Sequence, residues 1–204
     1  MLLIGVDTGG TFTDFVVRDE AGIRVHKELS TPNNPSIAIM KGLSALGVPL
    51  EEILIVHGTT VATNAVLEKK LSKTVYVTNR GFSDLLTIGR QARAELYNLT
   101  PPTKSPPVPK SHCVEIGGRI NSSGLLVEEV SEQDMTYLEE QVKKLNPEAI
   151  AVNLLFSFLR PEIEHALAVR LEKYCFVACS SDVLPDYREY ERGIATWLNA
   201  ALGP

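Results

Sequence analysis

Ile4-Gly-Val-Asp-Thr-Gly-Gly-Thr-Phe-Thr-Asp14 is the stretch from which the rest of the chain can be read. An apolar strand runs into Asp7, then Gly9 and Gly10 follow, with hydroxyls at Thr8, Thr11 and Thr13. A second apolar run, Phe15-Val-Val17, leaves the turn. Glycines here let the backbone come close to an oxyanion and let peptide N–H groups line a small anion nest. The threonines add hydroxyl donors, and Asp7 at a strand end suits a hydrated Mg²⁺ held through oxygen. The expectation is a nucleotide-phosphate turn, with ATP as its ligand. It is not the P-loop pattern, because no lysine follows the glycines, and it is not G-x-G-x-x-G. The simpler alternative is a β-hairpin whose Gly-Gly merely makes the bend.

A chain of 204 residues, 44% hydrophobic and 22% charged, has the composition of an ordinary globular protein with a sizeable core. A net charge of −5 argues against a nucleic-acid surface, which needs clustered Lys and Arg. No apolar run reaches the length of a membrane span, and the N-terminus lacks the basic region of a signal peptide. Cys113, Cys175 and Cys179 make an odd set without disulfide-framework spacing. These features predict a cytoplasmic protein with no nucleic-acid or membrane partner.

Outward from the opening turn, residues 2–6, 12–18 and 23–29 read as three strands joined by hairpins, the second turn being Asp19-Glu-Ala-Gly22. Asn34, Pro35 and a stripe of Ile37, Met40, Leu43 and Leu46 predict a helix closed by Gly47. A buried strand over 52–57, a helix over 60–70, a strand over 74–78 and a short helix over 82–90 follow. Five prolines at 101, 102, 106, 107 and 109 mark a connector over 101–110, which predicts a division into parts 1–100 and 111–204 of one lobe. Residues 113–120 and 125–129 read as a hairpin, and Ser131 with Asp134 as a capping box. Strands at 149–156 and 176–180 then alternate with helices at 161–174 and near the C-terminus, the latter with Ile194, Trp197, Leu198 and Ala201 on one face. Hairpin strands followed by alternating elements predict an α/β (α+β) layering, a mixed sheet with flanking helices. That order matches the ribonuclease-H-like lobe of the actin-like ATPase superfold.

The second constellation is His57-Gly-Thr-Thr60, followed by Val61-Ala-Thr-Asn-Ala-Val66. The run Ile53-Leu-Ile-Val56 delivers His57 to a strand end, Gly58 allows the turn, and Thr59 or Thr60 caps the next helix. Strand ends facing helices are where α/β sheets bind ligands. The plainer reading stands beside it: the threonines only cap, and His57 bonds a backbone carbonyl.

Together the two blocks resemble signatures of the hydantoinase A / 5-oxoprolinase family. Arg80-Gly-Phe82, Ile88-Gly-Arg-Gln91, Glu95-Leu-Tyr97 and Arg188-Glu-Tyr-Glu-Arg192 extend the resemblance along the chain. The resemblance implies an ATP-dependent hydrolase of cyclic amides such as 5-oxoproline or a hydantoin, using Mg²⁺ and in some members K⁺. It implies catalytic roles for Asp7, His57 and Thr60. Phosphate contacts are expected from Thr8, Gly9, Gly10, Thr11, Thr13, Gly58 and Thr59, and metal contacts from Asp7 and Asp14. Members are longer, so the chain is expected to be an inactive fragment that works with a C-terminal part of the same protein or a hydantoinase B-type subunit, in an oligomer. A small-molecule kinase, a ketone-carboxylase subunit and a non-catalytic nucleotide-binding module are the alternatives. Arg90, Gln91 and Arg93 read more simply as a solvated helix end than as a carboxylate clamp. The cluster from Tyr187 to Arg192 reads as helical ion pairs, and the cysteines lack zinc-site spacing.

Overall fold

The computed structural model describes residues 2–19, 22–48, 53–92, 95, 97–100 and 105–204. Glu20, Ala21, Glu52, Arg93, Leu96 and residues 101–104, on which parts of the expectations above rest, lie outside the described residues. Two compact units are present, Met1–Lys70 and Leu71–Pro204. No helix among the described residues is long and apolar enough to cross a membrane.

In the first unit, β1 (Leu2–Thr8), β2 (Phe12–Asp19) and β3 (Gly22–Leu29) form the antiparallel meander that the sequence predicts. The next strand, β4 (Ile53–Thr59), runs parallel to β1, giving the order β3-β2-β1-β4. Alternation puts Ile4, Val6, Phe15 and Val17 on one face, where they pack with Leu43 of helix α1 (Pro35–Leu46). The stripe on α1 differs from the one expected. Ala38, Gly42 and Leu43 are buried, while Ile37 and Met40 stay exposed. The reason is the Phe15 ring: a Cβ on Gly42 would stand 2.2 Å from its Cζ, so the helix meets the sheet along its smallest residues. Asn34 makes no side-chain cap, whereas Thr31 Oγ1 accepts from Ala38 N at 3.2 Å. Residues 52–57 were expected as a buried strand. Instead β4 is a sheet edge, extends through Gly58 and Thr59, and leaves Leu54, Ile55 and Val56 exposed. Helix α2 (Val61–Leu67) ends earlier than expected, because Lys69 takes a left-handed backbone at φ 56°.

The second unit is an all-parallel sheet in the order β10-β9-β5-β6, from β5 (Thr74–Asn79), β6 (Cys113–Ile116), β9 (Ala149–Asn153) and β10 (Phe176–Cys179). β5 and β9 are buried along their whole length, as strands covered on both faces must be. One face packs on α4 (Glu132–Leu145) and α5 (Glu162–Leu171) through Leu138, Val142, Leu167 and Leu171. The other meets α3 (Leu85–Ile88) and α7 (Glu189–Leu202) through Leu86 and Ala200. A four-residue helix, α6 (Ser180–Val183), precedes α7. β5 and β6, which flank the proline stretch, are paired within this one unit, and the division between units falls at Lys70. The hairpin expected over 113–129 is split. Gly118, at φ 86°, turns the chain, so residues 113–116 join the parallel sheet and only β7 (Arg119–Ile120) pairs with β8 (Leu126–Glu128). The capping box of α4 is present, Asp134 N donating to Ser131 Oγ and Ser131 N to Asp134 Oδ2, both at 3.1 Å.

Candidate phosphate site at the glycine turn

The first unit alone holds the candidate site. The Gly9–Gly10 turn is closed by Gly9 N donating to the Phe12 carbonyl at 3.0 Å. Register then brings the end of β3 back beside it, since Phe12 pairs with Leu29. Ser30 therefore lies against the turn: its N donates to the Thr11 carbonyl at 3.0 Å and its Oγ to the Gly9 carbonyl at 2.8 Å. The Thr13 hydroxyl is fully buried and bonds Ser30 Oγ at 3.0 Å, so it braces the turn from beneath.

Strand alternation divides the expected site residues between the two sheet faces. Thr8, Thr13, His57 and Thr59 occupy the face that carries α1, and Thr8 Oγ1 lies 3.0 Å from His57 Nε2. Asp7, Asp14 and Gly58 occupy the opposite face, Asp7 and Asp14 being cross-strand partners. Asp14 is ion-paired to Lys27 at 2.9 Å, whereas Asp7 is exposed and makes no ion pair or side-chain hydrogen bond with a described residue. Thr59 is the capping threonine: its Oγ1 accepts from Val61 N at 3.2 Å and donates to the Thr8 carbonyl at 3.4 Å. Thr60 uses its backbone instead, its N donating to the Thr8 carbonyl at 3.2 Å. Its side chain is exposed and makes no cap.

A cavity of about 260 Å³ opens beside the turn, with Thr8, Gly9 and Gly10 on one wall, Ser30 and Thr31 on a second, and Asn64, Glu68 and Lys70 on a third. A Cβ on Gly10 would approach Asn64 Nδ2 to 3.2 Å, so any side chain here would push the Asn64 amide aside. Ser30, Thr31, Glu68 and Lys70 belong to neither of the two sequence blocks that mark the site. Ser30 is recoverable from the register of the second hairpin. Glu68 and Lys70 become visible only once the end of α2 is known to fold back.

Elsewhere, Arg90 Nε donates to Glu191 at 2.5 Å, so its charge is already matched within the second unit. The cluster expected to form helical ion pairs includes Arg192, which pairs with Glu189 three residues before it on α7 and is fully buried. Its guanidinium donates to Asn153, Ser180, the Leu154 and Asp186 carbonyls and Glu189. Among the described residues no cluster of three or more His, Cys, Asp or Glu is arranged to hold a metal ion.

Comparison with known proteins places the chain in a family. The alpha subunit of caprolactamase from Pseudomonas jessenii is 33% identical over 98% of this chain, which spans 31% of that subunit. 5-Oxoprolinase 1 of Arabidopsis thaliana is 29% identical, again over 98% of this chain, but over only 19% of its own length. The solved structure of the ATP-dependent caprolactamase from P. jessenii superposes with a TM-score of 0.81 at 30% identity, covering 99% of this chain and 31% of its own. Nucleotide-free acetone carboxylase does so with 0.85 at 26% identity, covering 98% and 32%. The chain thus spans about a third or less of the length of these relatives. Its architecture is the mixed α/β, ribonuclease-H-like and actin-like fold of those structures. The model of the hydantoinase/oxoprolinase N-terminal region matches residues 3–175, and the chain belongs to that family.

Proposed function

We propose that this chain is the phosphate-binding part of an enzyme that uses ATP to open a cyclic amide, with 5-oxoproline, hydantoin and lactam rings as the substrate class. The observation that carries the proposal is the braced Gly9–Gly10 turn, with Asp7 exposed at the end of its leading strand. The ATP dependence of the caprolactamase and of acetone carboxylation supports it.

An amide carbon is a poor electrophile because the nitrogen lone pair delocalises into the carbonyl. Transfer of the γ-phosphoryl group to the amide oxygen releases ADP and makes that oxygen a leaving group. Water then adds at carbon and the C–N bond breaks to leave an acyl phosphate. A second water attacks that carbon, so phosphate departs with the former amide oxygen and the ring-opened acid remains. Chemistry of this kind needs positioning and charge neutralisation above all. Gly10 and Thr11 present the turn to the phosphates. Asn64 narrows the cavity over Gly10. Asp7, exposed and without an ion pair among the described residues, offers carboxylate oxygens that fit Mg²⁺, and its cross-strand partner Asp14 would join it on release from Lys27; the ion would neutralise phosphate charge. His57, held by Thr8, and Thr59 or Thr60 face the transferring group or the substrate carbonyl. A ketone-carboxylating role is the second reading, favoured by the higher TM-score of acetone carboxylase.

Titrating the chain with ATP and Mg²⁺ while following the amide signals of Gly9, Gly10 and Thr11 by NMR tests the proposal. Saturable shifts are expected, and Asp7→Asn should remove their Mg²⁺ dependence. Phosphate release from the 204-residue chain with 5-oxoproline should stay at background. In the whole protein, His57→Gln should lower kcat by about tenfold or more, the range of a lost proton-transfer or polar contact. Absence of any ATP-dependent shift at the turn refutes the proposal.

A further inference from the structure

A bound triphosphate brings several negative charges, yet the turn itself carries no cation, and its backbone and hydroxyl donors alone do not neutralise that charge. Lys27 and Arg24 pair with Asp14 and Asp19 and are not among the residues that line the cavity. Among the described residues lining the cavity beside the turn, Lys70 is the single cation. It lies sixty residues from the glycines in sequence and arrives by a specific backbone device. Lys69 adopts a left-handed conformation at φ 56°, uncommon for a residue with a side chain, and Lys70 N then donates to the Ala65 carbonyl at 2.9 Å. The chain folds back over the end of α2, placing Lys70 on the cavity wall that also carries Asn64. Its ammonium is tethered to Glu68 at 2.6 Å, and both side chains are largely exposed, so the pair can open without cost to the core.

We propose that Lys70 is the phosphate-binding cation of this cavity, doing from the end of α2 what a lysine inside a P-loop does from the turn itself. Glu68 holds the ammonium until a polyphosphate displaces it. The ligand chemistry is a terminal phosphate bearing two negative charges, whether on a nucleotide or on free polyphosphate. A compact ammonium suits such a group as a point charge. The proposal rests on the assignment of the glycine turn as a phosphate site, and the test separates the two.

Isothermal titration of the 204-residue chain with ATP, and separately with inorganic tripolyphosphate, supplies the test. Lys70→Gln should weaken both ligands by about tenfold or more, the effect of losing a hydrogen bond to a charged group. Lys70→Arg should retain most of the affinity. Glu68→Gln should tighten binding at low salt, because the ammonium loses its competitor, and the gain should fade as salt rises. Equal losses for ATP and tripolyphosphate assign the contact to phosphate, while a loss confined to ATP contradicts it. Wild-type affinity in Lys70→Gln, together with loss of binding in Gly10→Val, overturns the role of Lys70 and leaves the turn as the phosphate site. If the wild-type chain binds neither ligand, both assignments fall.

Discussion

Ser30 Oγ donates to the carbonyl of Gly9 at 2.8 Å, joining the end of β3 to the turn between β1 and β2 across twenty-one residues of sequence. The same hydroxyl meets Thr13 at 3.0 Å, so a buried threonine steadies the serine that holds the Gly9 carbonyl. In Ser30→Ala the lost bond should cost about 0.5–1.5 kcal/mol of stability, since Gly9 is only half-buried and its carbonyl regains water. ATP affinity should fall more steeply than stability, because the peptide groups facing phosphate lose their orientation. Ser30→Thr, which restores a hydroxyl, should recover affinity. Parallel melting curves and nucleotide titrations decide it; a stability loss with unchanged affinity would confine Ser30 to the scaffold.

Arg192 sets a second expectation. Five hydrogen-bonding partners surround a guanidinium with no exposure, and the Phe158 ring lies 5.4 Å from its central carbon. Burial pushes the carboxyl of Glu189 above its ordinary range even with Arg192 beside it, so the acid depends on the cation for its charge. Arg192→Ala should therefore cost about 3–5 kcal/mol, the cost of stranding a buried partner. Arg192→Lys should recover little, because an ammonium cannot reproduce the planar fork. Combining Arg192→Met with Glu189→Gln should restore part of the loss by removing both charges together. Urea denaturation of the three variants checks the order.

Asp134 gives the pH dependence of the second unit. Its burial alone would raise the carboxyl pKa, but hydrogen bonds from Ser131 and the charge of Arg80 outweigh burial and hold it below the ordinary 3.8. A lowered native pKa means that the unfolded chain takes up the proton first. The stabilisation is thus complete above pH 3.8 and is lost as the pH falls from there through the native value. Asp134→Asn should lose about 1 kcal/mol at neutral pH, as for a weakened cap. It should also flatten the acid limb of a plot of stability against pH. An acid limb identical to wild type would show that other carboxylates set it.

Sequence periodicity made the three-strand meander and the α4 capping box legible because both are written in local spacing: alternation in the strands, and a three-residue interval in the cap. The buried face of α1 was legible at Leu43 and Leu46 but not at Ala38 and Gly42, because it depends on Phe15, a residue of another element, which leaves room only for Gly42. Apolarity suggested a buried strand at Leu54, Ile55 and Val56, but apolarity cannot reveal whether a neighbour covers them. Within the candidate site, the glycines, Asp7 and His57 stood out by residue type. Ser30 and Lys70 did not, since serine and lysine are common, and only register and a left-handed Lys69 bring them to the turn. The helical ion pair of Arg192 with Glu189 was legible from spacing, but its burial was not, since it depends on the ends of β9 and β10 that enclose it.

The edge position of β4 bears on how the isolated polypeptide behaves in the tube. An edge strand offers a row of unsatisfied N–H and C=O groups, and in β4 these lie beside Leu54 and Val56, whose side chains face outward on the sheet face opposite α1. No proline interrupts the strand, and no lysine lies within it to repel a second strand. Flat, apolar, unguarded edges of this sort are where intermolecular strand pairing nucleates. The seven residues of β4 are therefore one place where copies of the 204-residue chain would pair, and a single lysine in place of Val56 would act there as a gatekeeper.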